Sequence, residues 1–447
     1  MKQEMLGKDD RHTRQVVAQA GSDRPQRVYI YTDSRPPEPD ANGPGLVICS
    51  QVQAFLDLGC EVEFVFIWRW VKVPSSPGYF KEIKCTVIDA RGARPPRYAR
   101  LAYLAGMPRE LVYWQLHPAR EIILREAKAR YESDPEAIHV FHYLHTANVI
   151  PSLPRVRTVW TCHDIESEYQ AGTFRIDQEI QKRKPLGWET RKLRRMAELE
   201  REVARTSGLV LCVASDEAKR IAGEWSAPNA AYLPFSIAHA EKPGIDREQD
   251  ADGVLRLLHI GGLVHLATYS SLEYILTKVF PLLDSDTISR LRLEVVGKWE
   301  AGEIQAEAIM EMAKPYPMVR FSGFVEDIRT AYRRNDIQVV ASTQATGVRT
   351  RVIESWAYGM PVLSTTLGAG GVEHVAPGQN ILIADEPRDF AQRLKELIHA
   401  PERLGAISNA ASKTYAENFS RRAVATALRD LLNQSFHLQL TTVSSTE

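Results

Sequence analysis

The stretch Gly347-Val348-Arg349-Thr350-Arg351-Val352-Ile353-Glu354 sets two arginines and a glutamate where a glycine loop gives way to a helix. The helix begins near Thr350 and stops at Gly359, because Pro361 forbids its continuation. Cations at a helix start meet unpaired N–H groups and the positive end of the dipole, so Arg349 and Arg351 are unfavourable there without an anion. A phosphate relieves the conflict. The planar guanidinium can hold two oxygens of a diphosphate at once and stays charged throughout the pH range. Glu354, one turn on, can accept the two hydroxyls of a ribose. The plainer alternative is an ion pair between Arg351 and Glu354 on a solvated helix face. The glycines favour the ligand: the apolar run from Ile337 to Ala341 and the run Val362 to Thr365 read as parallel strands flanking this helix. Gly368, Gly370 and Gly371 follow the second of them, at the edge where open α/β sheets bind ligands.

His163 ends another strand-like run, Arg157 to Cys162, and so lies at the same kind of edge. Asp164 beside it reads as a helix cap. His139, His142 and His145 invite a metal, but side chains three apart on a strand face opposite sides, so no metal site is expected. Gly43-Pro44-Gly45, between the first strand and a helix over Leu46 to Leu58, reads from its residues alone as a tight turn.

The elements that must carry these groups alternate between strand and helix. Strands are expected at 27–32, 61–67, 137–142, 157–162, 209–213, 255–260, 291–296 and 319–323, and helices near 196–205, 270–283, 387–398, 401–417 and 420–434. The division that follows is a tail over 1–26, a domain over 27–240, a polar linker over 241–253, a second domain over 254–417, a helical segment over 418–440 and a frayed end over 441–447.

The chain has 447 residues, with 56 basic and 56 acidic side chains. That balance gives no overall reason to bind nucleic acid. The five cysteines, Cys49, Cys60, Cys85, Cys162 and Cys212, form no metal-binding spacing and read as reduced thiols of a cytoplasmic protein. No run reaches the length needed to span a bilayer. Two basic stretches remain, one with Arg91, Arg94, Arg97, Tyr98, Arg100 and Tyr103. The other holds Lys182, Arg183, Lys184, Arg191, Lys192, Arg194 and Arg195. Solvated helix faces are their ordinary reading, and peripheral contact with anionic lipid or an acidic glycan is the sharper one.

The segment from Thr346 to Pro361 resembles the donor-binding signature of retaining glycosyltransferases of family 4. These have the GT-B architecture, two Rossmann-like domains facing across a cleft. Glu354 and the run Ala357-Tyr358-Gly359-Met360-Pro361-Val362 match the family pattern, and Thr346 stands where a first glutamate is usual. The form Gly-x-Arg-x-(Lys/Arg)-x-x-Glu is similar to a subgroup with a prominent basic pair. By this resemblance, Arg349 and Arg351 hold and stabilise a leaving diphosphate and His163 faces the donor sugar. Thr346, Gly347, Glu354, Gly370 and Gly371 line the donor site. Gly261 and Gly262 lie beneath the diphosphate, the backbone at Phe324 and Val325 receives the base, and Gly43 and Gly45 form an acceptor-side loop. A serine, Ser215, is expected to cap the helix after the 209–213 strand, and the last helix to cross back to the first domain. The resemblance implies transfer of a sugar from a nucleotide-diphosphate sugar to a glycan or lipid-linked acceptor, with retention, no metal and no cofactor. A silent nucleotide-sugar-binding scaffold subunit and a sugar-nucleotide epimerase of the same architecture are the rival readings.

Overall fold

The computed structural model describes residues 25–32, 43–68, 82–90, 118–155, 157–238 and 253–442. The basic stretch around Arg91 to Tyr103, the 1–24 part of the tail and most of the linker lie outside the described residues.

Among the described residues, thirteen strands fall into two sheets, each parallel throughout. In the first, β1 (Arg27–Thr32), β2 (Glu61–Trp68), β3 (Lys84–Asp89), β4 (Ile138–His142), β5 (Thr158–Cys162), β6 (Leu209–Cys212) and β7 (Ala230–Tyr232) stand in the order β3-β2-β1-β4-β5-β6-β7. The second holds β8 (Leu255–Ile260), β9 (Leu291–Val296), β10 (Val319–Gly323), β11 (Ile337–Val340), β12 (Val362–Ser364) and β13 (Leu382–Ile383), in the order β10-β9-β8-β11-β12-β13. Strand order reverses direction between β1 and β4 in one sheet and between β8 and β11 in the other. A crevice opens at such a switch point, outside the carboxyl ends of the strands. These are two Rossmann-like domains. The strands β4, β5 and β6 are buried along their whole length, as strands of a parallel sheet are when helices cover both faces, and His139, His142, Thr158 and Thr161 are buried with them.

Apolar clusters cover both faces of each sheet, and two of them cross the boundary between domains. Ile176, on the Glu166–Ile180 helix that follows β5, packs into the core of the second domain beside Leu266 and Leu272. Leu46 and Val47, on the Gly43–Asp57 helix, join a cluster with Val352, Ile353 and Trp356. The Arg421–Phe436 helix, capped by the Ser420 hydroxyl, buries Val424, Ala425, Leu428 and Leu432 against Val52, Phe55 and the β1 face. It therefore sits on the N-terminal domain although the chain reaches it from the second.

Four local expectations are corrected. Gly43 and Gly45 are not a turn: they form the first turn of the Gly43–Asp57 helix, because proline near a helix start loses an N–H that has no partner there anyway. The helix expected at 270–283 begins at Leu266 and passes through a π turn, Ile275–Val279, into a 3-10 turn, Phe280–Leu282. The helix expected at 196–205 starts earlier and spans Gly187–Thr206. Asp164 caps no helix. The first N–H groups of the Glu166–Ile180 helix are served by Glu200, whose carboxylate accepts from the Ser167 N–H at 3.1 Å and the Ser167 hydroxyl at 2.5 Å.

Candidate donor site at the carboxyl edge of the second sheet

At the end of β8 the backbone turns through Gly261, φ +142°, into Gly262. Gly297, at the end of neighbouring β9, presses its backbone on theirs. A Cβ there would overlap the Gly261 carbonyl and stand 3.0 Å from the Gly262 nitrogen. A Cβ on Gly261 would overlap the Thr268 hydroxyl and lie 3.1 Å from Nη2 of Arg351. The result is bare backbone with a guanidinium above it. Gly297 was not singled out from the sequence, although a glycine closing a strand run beside Gly261-Gly262 is the signal that would have found it.

Arg351 lies in the first turn of the Thr350–Ala357 helix. Its Nη2 donates to Thr268 Oγ1 at 3.0 Å, while its Nη1 is buried without a hydrogen-bond partner. No carboxylate pairs with it among the described residues. Burial, and then the nearby Arg349, push its pKa down to about 10, so it remains a cation at neutral pH. Two histidines nearby are held neutral. His259 bonds Ser271 Oγ at 3.0 Å, and His265 lies 3.3 Å from the Tyr169 hydroxyl; burial first, then Arg351, lowers both pKa values. A buried cation with an idle N–H, beside glycine backbone, is built to receive an anion.

Arg349 goes elsewhere. Its Nη2 donates to the carbonyls of Thr346 and of Gly347, the latter at 2.7 Å. Around it stand two acids from the N-terminal domain. Asp164 Oδ1 accepts from the Thr346 hydroxyl at 3.2 Å, and Glu217 Oε1 accepts the Gly347 N–H at 2.7 Å. Gly347 has φ +66°, and a Cβ there would overlap the Asp164 carboxylate. The Ser215 N–H donates to the Gly371 carbonyl at 3.2 Å, and a Cβ on Gly371 would lie 2.9 Å from that of Ala214. Ser215 thus spends its backbone on the interface, and its side chain does not cap the Ser215–Glu224 helix. Gly370 closes the short turn Leu367–Ala369, its N–H bonded to Leu367 at 3.1 Å. Thr346, Gly347 and Gly371 are therefore together, clasped by the N-terminal domain, and the two arginines are separated in what they hold.

His163 is 8% exposed. Its Nε2 lies 3.0 Å from Nδ1 of His142, and its ring stacks on Tyr143 with centroids 4.6 Å apart. Burial, with His145 nearby, pushes its pKa down to about 3, so it is a neutral imidazole. Glu354 accepts from the Tyr332 hydroxyl at 3.2 Å. Phe324, beyond β10, is 59% exposed, while Val325 packs on the apolar cluster around Trp356. Gly43 brings the start of its helix against Thr350, whose Oγ1 would lie 3.1 Å from a Cβ on it. The second basic stretch is partly structural: Arg183 pairs with Glu189, buried Lys192 lies over the Phe174 ring, and Arg194 and Arg195 pair with Glu198.

Solved structures share this fold. Sucrose-phosphate synthase from Thermosynechococcus elongatus is similar with a TM-score of 0.67 at 16% identity, over 92% of this chain and 99% of that one. Anabaena HepE in complex with UDP-glucose is similar with a TM-score of 0.61 at 15% identity, over 91% of this chain and 99% of that one. The architecture is GT-B. WaaG, a glycosyltransferase involved in lipopolysaccharide biosynthesis, shares the GT-B fold with a TM-score of 0.56 at 13% identity, over 90% of this chain and 99% of that one. Residues 255–400 match the family model of the group 1 glycosyl transferases, and Gly261, Arg349, Arg351 and Glu354 lie within the matched stretch. No curated protein matches the chain.

Proposed function

We propose that the chain is a retaining glycosyltransferase that moves a sugar from a nucleotide-diphosphate sugar to a glycan, lipid-linked or other acceptor in cell-surface polysaccharide or glycoconjugate biosynthesis. The observation that carries this is Arg351: a buried cation with one idle N–H over the glycine backbone at the end of β8. HepE, a structural neighbour, was solved with UDP and with UDP-glucose, which makes a uridine donor the first to try.

In this reading the diphosphate lies on Gly261 and Gly262, and Arg351 meets the negative charge that grows on it as the glycosidic bond breaks. The Thr350–Ala357 helix start adds its dipole, so the leaving group is stabilised without a metal. Glu354 takes the ribose hydroxyls, and the backbone at Phe324 and Val325 takes the base. The neutral His163 orients the sugar. The departing phosphate accepts the proton of the acceptor hydroxyl on the same face, which keeps the anomeric configuration and needs no protein nucleophile. The acceptor approaches from the N-terminal domain. Reduced thiols fit a cytoplasmic setting, with peripheral contact at the inner face of the membrane through the exposed Lys182, Lys184 and Arg191.

Calorimetry with a panel of nucleotide sugars, followed by product analysis, tests the proposal. Arg351→Ala is expected to lower turnover about 10²-fold, the loss of ~3 kcal/mol from one such donor. Unchanged turnover in that variant, or no binding of any nucleotide sugar to the wild type, overturns it. Tight binding without transfer or donor hydrolysis identifies a scaffold, and an isomerised donor made without acceptor identifies an epimerase.

A further inference from the structure

Asp164, Glu217 and Arg349 meet where the two domains touch, and nothing in the proposed chemistry uses the two acids. Each is held by the opposite domain: Asp164 through the Thr346 hydroxyl and Glu217 through the Gly347 N–H. The Glu217 carboxyl is buried and that of Asp164 half-buried, and the second oxygen of Glu217 has no hydrogen-bond partner. Among the described residues, the cation that faces both acids is Arg349, itself buried. Other charged or titratable groups face the cluster from the packed elements: Asp216 and Arg220 on the Ser215–Glu224 helix, Tyr169 on the Glu166–Ile180 helix, and Cys162 on β5.

We infer that Glu217 and Asp164 are positioning residues that clasp the Thr346–Arg349 loop to the N-terminal domain, and that closing this clasp takes up one proton, carried on Glu217. The charge count requires it. Two ionised carboxylates and one guanidinium leave a net charge of about −1 in a buried site, where an uncompensated charge is expensive. One proton on Glu217 makes the cluster neutral and gives its second oxygen a hydrogen to donate. When the domains part, both carboxyls return to water and ordinary acidity, and that proton is released as the Glu217 carboxyl ionises.

Burial, and then Asp164, push the Glu217 pKa up to about 8, while burial pushes that of Asp164 up against the opposing pull of Arg349. The closed state therefore binds more protons than the open one. Its advantage is fully present below the ordinary carboxylate range and is lost as pH rises toward about 8, by at most tenfold per pH unit. Gly347 and Arg349 lead directly into Arg351, so the clasp bears on the donor site proposed above. The closing equilibrium is nonetheless measurable without any sugar nucleotide.

Small-angle scattering of the full chain from about pH 5 to about pH 9 reads the radius of gyration for wild type, Glu217→Gln and Asp164→Asn. The wild type is expected to expand as pH rises. Glu217→Gln, a permanently neutral stand-in that keeps an acceptor for the Gly347 N–H, is expected to stay compact throughout. Asp164→Asn leaves one acid to one arginine, so its expansion should vanish as well. A wild-type radius that does not change with pH, or variants that expand as the wild type does, overturns the inference. Thermal melts establish that the variants fold, and if Glu217→Gln does not, Asp164→Asn decides. Failure of UDP-glucose to bind would count against the donor reading while leaving this pH profile to be judged by itself.

Discussion

Arg349 and Arg351 stand two positions apart in one motif, yet one clasps a loop and the other holds an idle N–H over a glycine pair. Gly261 keeps that space open, which makes it the sharpest point to probe the pocket without touching the charge. Gly261→Ala is expected to cost about 1–3 kcal/mol, since its φ of +142° suits no other residue and its new methyl would displace Thr268 and Arg351. A fall of at least about tenfold in UDP affinity by calorimetry, with a Tm lowered by a few degrees, is the expected outcome. Equal affinity would place the anion elsewhere. The sequence shows why Arg351 stands out, because a cation at a helix start is a local conflict visible from spacing. It does not show Asp164 or Glu217, whose partners lie about 180 and 130 positions away and reach them only through the folding of two domains against each other. Asp164 in particular looks like a cap until Glu200 is seen to serve that helix.

The strands were the most legible elements: β1, β8 and β9 fall where apolar runs bounded by turn residues place them, because a buried parallel strand needs such a run. Helix starts were less so, since no side chain caps the helix at Leu266, and at Gly187 the residue before the helix is Leu186, whose N–H is taken by Glu189 at 2.7 Å. The Arg421–Phe436 helix shows which contacts secure an element. Its Arg421 forks onto Asp57, with Nε 2.6 Å from a carboxylate oxygen, but that arginine is 61% exposed and the pair is worth at most about 1 kcal/mol. Leu428 is fully buried in the cluster with Val52 and Phe55, and truncating it should cost about 2–5 kcal/mol. Urea unfolding is therefore expected to show a marked loss for Leu428→Ala and almost none for Arg421→Ala. The reverse ranking would mean that charge, and not burial, docks the helix.

At the scale of the whole molecule, the two domains also meet along a second seam, which shares Tyr169 with the acid cluster, and Gly172 controls how closely it shuts. Gly172, on the Glu166–Ile180 helix of the N-terminal domain, faces Leu266 at the start of a helix of the other domain. A Cβ on it would overlap one methyl of that leucine and reach 3.0 Å from the second. Around this contact the Tyr169 hydroxyl meets His265 at 3.3 Å, and Gln305 donates to Asp177 at 2.5 Å. Gly172→Ala can be absorbed if the far end of Leu266 rotates, a repacking that costs about 1–3 kcal/mol. Gly172→Val adds two methyls at the same place and acts as a wedge. Among the described residues the seam holds no carboxyl buried as Glu217 is, Asp177 being half-buried, so the wedge should enlarge the radius of gyration at every pH. The same variant should weaken nucleotide-sugar binding. If Gly172→Val scatters and binds like the wild type, the seam yields elsewhere, and the approach of the N-terminal domain to the donor site rests on the Asp164–Glu217 clasp and the packing of Leu46 and Val47 on the second domain.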